Sequence, residues 1–340
     1  MTLPINPPVK PMLAKVQEGI PRGDGWIYEP KWDGFRTIVF RDGSEAKLRS
    51  RNDRPMNRYF PEVEELALAA LPERCVVDGE IILPSPTGLE FDVLQLRLHP
   101  AASRVRKLAR ETPASLVVFD ILAHEDRDLR EEPLRERLRA LTGLLGSSRP
   151  EAAREPATQP GPRLHLTPCT EDADVAAEWF DDLEKVGLDG IIAKRLELPY
   201  APGERVMVKI KHRRTADCVV GGYRPHKHGG VGALLLGLYD DGALRYVGHT
   251  SSFSASERRE LLELLEPLRN EGTFGGEWGP GGPSRWSQGR DTEWVSVEPK
   301  LVCEVSYDYV QSGHRFRHAA TFIRWRDDKR PDECLFDQVR

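Results

Sequence analysis

Cysteine is scarce in this 340-residue sequence. The five that occur, Cys75, Cys169, Cys218, Cys303 and Cys334, lie far apart with no C-x-x-C among them. That spacing argues against a disulfide framework and a structural zinc site, and it fits a reducing compartment. Long apolar runs are missing too. The best, Ala233 to Leu238, is about a third of the ~18 residues a membrane helix needs, so no membrane partner is expected. The opening MTLPINPPVKPMLAK lacks the apolar stretch of a signal peptide, which makes the cytoplasm the expected location. Nor is there an excess of positive charge. Lys+Arg is 49 against Asp+Glu 54, a net charge of −5, which excludes a protein that binds through a general cationic field.

Hydrophobic residues at 39% are enough to bury a core in each of two domains. Residues 1–212 carry a net −4 and residues 213–340 a net −1. Cations concentrate only locally, in Arg97 to Arg110 and Arg205 to Arg214, each with five and no acid in RLHPAASRVRKLAR and RVMVKIKHRR. The first 212 residues alternate strand and helix signals. Phe35 to Phe40 and Glu45 to Ser50 are β-like around Asp42-Gly43, a hairpin turn. A Leu-rich helix carries Leu134, Leu138, Leu141 and Leu145. Val175, Trp179, Phe180, Leu183 and Val186 recur at helical spacing, with Thr170 as the expected N-cap and Gly187 as the stop. Residues 146–162, GSSRPEAAREPATQPGP, read as a flexible loop within the first domain.

The last ~125 residues change character. Ala233 to Tyr239 and Leu244 to His249 form a hairpin pattern about Asp241-Gly242, and Ser254-x-x-Glu257 is a capping box opening a helix over 258–269. Strand-like runs come next at Trp294 to Val297, Val302 to Tyr309 and Ala320 to Trp325. Short strands with one helix among them suit a small β-barrel of the oligonucleotide-binding (OB) kind.

Chemistry enters with Lys31-Trp32-Asp33-Gly34-Phe35-Arg36. A K-x-D-G occurs by chance in about one chain in ten of this length, so its weight comes from the ordered motifs C-terminal to it. These are Ser50-Arg51-Asn52, Val77-Asp78-Gly79-Glu80-Ile81, Val118-Phe119-Asp120-Ile121, Asp189-Gly190-Ile191-Ile192-Ala193-Lys194, Val208-Lys209-Ile210-Lys211 and Arg324-Trp325-Arg326-Asp327-Asp328-Lys329. This set resembles the motifs of covalent nucleotidyltransferases, and most closely those of the ATP-dependent DNA ligases, from Pro7 to Arg330. EPKWDGFR, DGIIAKR, VKIKHRR and RHAATFIRWR are similar to the compact bacterial repair type, the stand-alone ligase C and the ligase module of ligase D. The resemblance implies an α+β architecture. An adenylation (nucleotidyltransferase) domain of antiparallel sheets and helices, residues 1–212, is followed by an OB-fold β-barrel domain, residues 213–340.

Joining a 5′-phosphate to a 3′-hydroxyl requires that the phosphate first gain a leaving group. A lysine amine supplies the route by attacking the α-phosphate of ATP, releasing pyrophosphate and holding AMP as a phosphoramidate. Lys31 is the expected nucleophile. An ammonium cannot attack, and cations nearby favour the neutral amine. Lys209 and Lys211 alternate on a strand and so share one face toward the α-phosphate. Phosphoryl transfer works by positioning and charge neutralisation, so carboxylates are expected to hold Mg²⁺ or Mn²⁺. By resemblance Glu80 contacts the ribose or the metal and Asp189 holds the metal, although the commoner residue at that position is Glu. Resemblance also places Glu29 near the adenine edge, Phe119 on its face, Arg36 and Arg51 as ribose and phosphate clamps, and Arg205 within reach of the nucleotide.

Arg324, Arg326 and Lys329 are expected to orient the β- and γ-phosphates and then leave, about a hinge near His212 to Thr215. Arg97, Arg104, Arg106, Lys107 and Arg110, after Phe91-x-x-Leu94-Gln95, are the expected contacts to the phosphates of nicked duplex DNA. Only 30 residues precede Lys31, which leaves no room for the helical DNA-binding domain of larger ligases and predicts weak intrinsic DNA affinity. The implied setting is DNA repair, as a monomer working with a repair polymerase or end-binding proteins. An RNA ligase or a capping-type nucleotidyltransferase would share the lysine chemistry. A non-catalytic single-strand-binding protein would leave Lys31, Glu80 and Lys209 idle.

Overall fold

The computed structural model describes residues 2–86, 88–146, 163–183, 188, 190–212, 214–274, 280, 293–311 and 315–339. The loop expected at 146–162 lies outside the described residues but for Gly146. So do Val186, Gly187 and Asp189, and most of the Gly/Pro-rich stretch after 274. The chain divides into two compact units, Met1–Lys211 and His212–Arg340. No helix among the described residues is long and apolar enough to cross a membrane.

In the first unit the strands of three residues or more are β1 (Ala14–Val16), β2 (Trp26–Pro30), β3 (Phe35–Asp42), β4 (Glu45–Ser50), β5 (Arg74–Ile82), β6 (Ser115–His124), β7 (Leu164–Leu166), β8 (Ile191–Arg195) and β9 (Met207–Ile210). The longer helices are α1 (Pro61–Ala70), α2 (Ala102–Glu111), α3 (Leu134–Leu145) and α4 (Ala173–Leu183), with a single turn of helix at Phe91–Gln95. One sheet has the order β1-β9-β8-β2 and the other β7-β6-β5-β3-β4. The expectation of antiparallel sheets needs one correction, because each sheet ends in a parallel pair, β1 with β9 and β7 with β6. The β3–β4 hairpin turns at Gly43 (φ 60°). β6 and β5 are buried along nearly their whole length, and they carry the buried carboxylates Asp120 and Asp78 among their apolar residues.

Thr170 is not the N-cap expected for α4. Its backbone exchanges hydrogen bonds with Tyr28, while the Asp172 carboxylate accepts from the Asp174 and Val175 amides at 2.8 and 3.5 Å and so caps the helix.

In the second unit β10 (Arg214–Pro225), β11 (Val231–Asp240), β12 (Ala243–Thr250), α5 (Ala255–Leu265), β13 (Val302–Tyr307) and β14 (Thr321–Trp325) follow in order. The sheet order is β12-β11-β10-β13-β14, and a parallel bridge from Thr250 to Ala320 joins its two edges. A five-stranded sheet whose third and fifth strands meet, with a helix between the third and fourth, is the OB topology. The Ser254–Glu257 capping box is present with both of its hydrogen bonds. The β11–β12 turn has Asp241 and Gly242 both at positive φ, 49° and 77°, as a two-residue hairpin loop requires. All five cysteines are free thiols.

Candidate active site

Strand register assembles the site. Ile192 of β8 lies opposite both Glu29 of β2 and Lys209 of β9, so these three residues face one side of the sheet. Lys31, two residues beyond Glu29, continues that row, and its backbone N–H donates to the Gly190 carbonyl at 2.8 Å. Gly190 has φ +129°, and a Cβ there would come within 2.0 Å of the Ile210 carbonyl oxygen. The glycine preceding β8 is therefore a backbone requirement, because only glycine lets these segments close behind the lysine. Gly34 of the K-x-D-G is fixed the same way, since a Cβ would sit 2.1 Å from the Ile81 carbonyl oxygen.

The opposite wall comes from the second sheet. Arg36 of β3 pairs in register with Glu80 of β5. Its guanidinium makes a two-pronged ion pair with Asp78, both bonds 2.6 Å, and Tyr200 donates its hydroxyl to the same carboxylate at 2.6 Å. Arg36 Cζ lies 4.3 Å from the Phe119 ring centroid. Lys194 Nζ lies 4.7 Å from that ring and binds Glu29 at 2.7–2.8 Å. Burial pushes the Glu29 carboxyl up, and the Lys194 ammonium pulls against it. Burial also pushes Glu80 up to about 8, opposed by Arg36 and Lys31. Burial alone would lower Arg36, but the Asp78 carboxylate outweighs it and holds the guanidinium charged.

Glu29, Lys31, Arg36, Glu80, Phe119, Lys194 and Lys209 line one cavity of about 890 Å³ in the first unit. Of the expected site residues it gathers Lys31, Glu29, Arg36, Arg51, Glu80, Phe119, Arg205 and Lys209. Lys211 stands one residue past the end of β9, and Asp189 lies outside the described residues.

Arg324, Arg326 and Lys329 belong to the second unit, where each is held by an acid. Arg324 binds Glu304 at 2.7 Å. Arg326 and Lys329 bind the two oxygens of Asp217 at 2.8 and 2.7 Å. Asp328, paired with Arg326, is pulled down to about 2.

Arg97 is a correction. Its side chain is 1% exposed, paired with Glu62 at 2.7 Å and donating to the Tyr59 and Thr112 carbonyls. It braces the α1–α2 region and has no surface for DNA. Arg104, Arg106, Lys107 and Arg110 are exposed on α2. Lys194 lines the cavity, and Asp78 and Tyr200 hold Arg36 from outside its lining; none of the three was among the expected site residues, although Asp78 and Lys194 stand within the motifs. A lysine inside the apolar strand IIAK was the available signal for Lys194.

A lysine, several further cations, a carboxylate and a phenylalanine ring surround one cavity, in a chain whose second unit has the OB topology, the combination of a nucleotidyltransferase fold that acts on nucleic acid. The family model for the ATP dependent DNA ligase domain matches residues 11–211, and that for the ATP dependent DNA ligase C terminal region matches residues 227–329. DNA ligase C1 of Mycolicibacterium smegmatis is 47% identical over 100% of this chain and 96% of its own length. DNA ligase C of Mycobacterium tuberculosis is 48% identical with the same coverage. A solved Lig E DNA ligase has the same fold, with TM-score 0.56 and 18% identity over 93% of this chain and 99% of that one. The chain belongs to the ATP-dependent DNA ligase family.

Proposed function

We propose that this ligase seals 3′-hydroxyl/5′-phosphate nicks in duplex DNA through AMP carried on Lys31, in a repair setting. The observation that carries the reading is the convergence of Lys31, Arg36, Glu80, Phe119 and Lys209 on one cavity from two sheets and a loop. In the first step Lys31 Nζ attacks the α-phosphorus of ATP and pyrophosphate leaves. Lys209, in the row that leads to Lys31, neutralises the α-phosphate. Arg36 is fixed by Asp78 and Tyr200, so it meets the nucleotide without reorganising. Phe119 supplies the apolar face for the base. Glu29 and Lys194 offer an acceptor and a donor side by side, which suits an edge bearing an amino group beside a ring nitrogen. AMP then passes to the 5′-phosphate of the nick, and the 3′-hydroxyl displaces it.

The residues fit a divalent cation. Glu80 is a carboxylate in the cavity whose burial is incompletely offset by protein charge, and Mg²⁺ or Mn²⁺ commonly takes one or two carboxylates together with substrate phosphates. Glu80 would hold it with Asp189, and it would supply neutralisation of phosphate charge.

Intact-mass measurement after incubation with ATP tests the reading. The expected result is an AMP adduct on wild type, absent in Lys31→Ala and absent with excess chelator. A label retained from GTP and not from ATP overturns it.

A further inference from the structure

OB folds engage nucleic acid through the loop between their first two strands as well as through the sheet face. Here that loop is the turn Pro225–Gly230 between β10 and β11, PHKHGG. It is tightly closed: the His226 amide donates to the Gly230 carbonyl at 2.8 Å and the Gly229 amide to the His226 carbonyl at 2.9 Å. It is also packed on α5, since a Cβ at Gly230 would lie 2.6 Å from the Arg258 carbonyl oxygen. This packing sets the Arg258 guanidinium against the His226 ring, with Nη1 3.0 Å from Nε2 and 3.4 Å from Nδ1. The His228 amide points at Nδ1 of the same ring, 3.3 Å away.

A neutral imidazole has one acceptor nitrogen and one N–H. Both ring nitrogens of His226 face donors, so one donor contact fails whichever tautomer is present. Arg258 Nε is buried with no hydrogen-bond partner, and the His228 ring lies 5.4 Å from that of His226. Among the described residues no carboxylate forms an ion pair with Arg258 or Lys227. The cluster therefore has donors and positive charge in surplus and lacks an acceptor.

We propose that the His226–Gly230 turn and Arg258 form a binding site for a backbone phosphodiester of DNA, which fills with uptake of a proton by His226. The proposal rests on the ligase reading and adds a DNA contact in the second unit. Phosphate oxygens would accept from Arg258, from the His228 amide and from a doubly protonated His226, satisfying every donor that now competes for one ring. The groups facing His226 are Arg258 from α5 and Lys227 and His228 from the turn. Desolvation first, and then these cations, hold the free imidazole below its ordinary value. A phosphate reverses the sign of the local charge, so the bound imidazole protonates more readily. DNA affinity then rises as pH falls from the bound toward the free value, by up to about tenfold per pH unit for one proton.

The test is the dissociation constant of the full chain for nicked duplex DNA between pH 7.5 and 6.0, at fixed ionic strength. Wild type is expected to tighten by about three- to tenfold more than His226→Asn over that range. Arg258→Gln is expected to weaken binding and to reduce the slope of log affinity against log salt by about one. Equal pH slopes in wild type and His226→Asn, or a wild-type salt slope in Arg258→Gln, overturn the proposal. Inorganic pyrophosphate is the rival ligand: a His226 imidazole resonance that responds to it and not to nicked duplex overturns the assignment to DNA. The same preparation reports AMP uptake. A wild-type chain that takes up no AMP overturns the ligase reading, whereas AMP uptake with equal pH slopes overturns this site alone.

Discussion

The two units use their cations in different ways. In the first, Lys31, Arg36, Arg51, Arg205 and Lys209 face one cavity, and Asp78, which holds Arg36, is buried within the β5 strand. In the second, Arg324, Arg326 and Lys329 are each matched by a carboxylate at 2.7–2.8 Å, and a phosphate must compete with Glu304, Asp217 and Asp328 for them. The first arrangement is prepared for its ligand. On the proposed function the second would exchange one set of anionic partners for another, which suits a group that acts in one step and is idle in the next.

The sharpest way to break this comparison is within the first unit, where two arginines of one basic run have opposite fates. Arg97→Ala strands Glu62 in the core, and losing one partner of a buried pair costs about 3–5 kcal/mol. Arg106→Ala removes an exposed cation and is expected to change stability by less than about 0.5 kcal/mol, while lowering the salt slope of DNA binding by about one. Denaturant midpoints and binding titrations separate the two. A stable Arg97→Ala with a reduced salt slope would return Arg97 to the DNA surface.

In the second unit, Arg326→Ala and Lys329→Ala are expected to slow AMP uptake from ATP by about 10–100-fold, the range of a lost charge-assisted phosphate contact. Sealing of a nick already carrying AMP is expected to change by less than about threefold. Asp217→Asn leaves both cations present and should slow AMP uptake less than either alanine. Equal losses in both assays would show that these side chains serve the fold or every step alike.

The sequence carried the site residues further than it carried their partners. That Lys31, Glu80, Phe119 and Lys209 belong together was legible because their motifs stand in order, and they share one cavity; β8, β9 and the OB hairpin were legible because alternation and turn residues agree. Arg97 was misread because a run of cations looks the same whether it is solvated or buried, and Glu62, which decides the matter, lies 35 residues away. Asp217 lies 109 residues from Arg326, beyond the reach of any local pattern. Thr170 failed as a cap because its backbone was already committed to pairing with Tyr28. Long-range pairing also made the edges of both sheets parallel, which no turn signal announces.

The smallest expected effect tests where the two units should behave alike. His165 in β7 and His249 in β12 are both lowered, first by desolvation and then by an arginine, Arg163 and Arg224 respectively. A histidine depressed in the fold stays neutral there while the unfolded chain protonates near pH 6.5. Its contribution to stability is therefore complete above that pH and is lost as pH falls through the folded value. Wild type should lose melting temperature more steeply between pH 7 and 5.5 than His165→Asn or His249→Asn does. The difference is a few degrees at most, since 1 kcal/mol moves Tm by about 2–4 °C for domains of this size. Differential scanning calorimetry without nucleotide or DNA reads it. A flattened slope in one variant alone would show that burial is effective in one unit and that water reaches the histidine in the other.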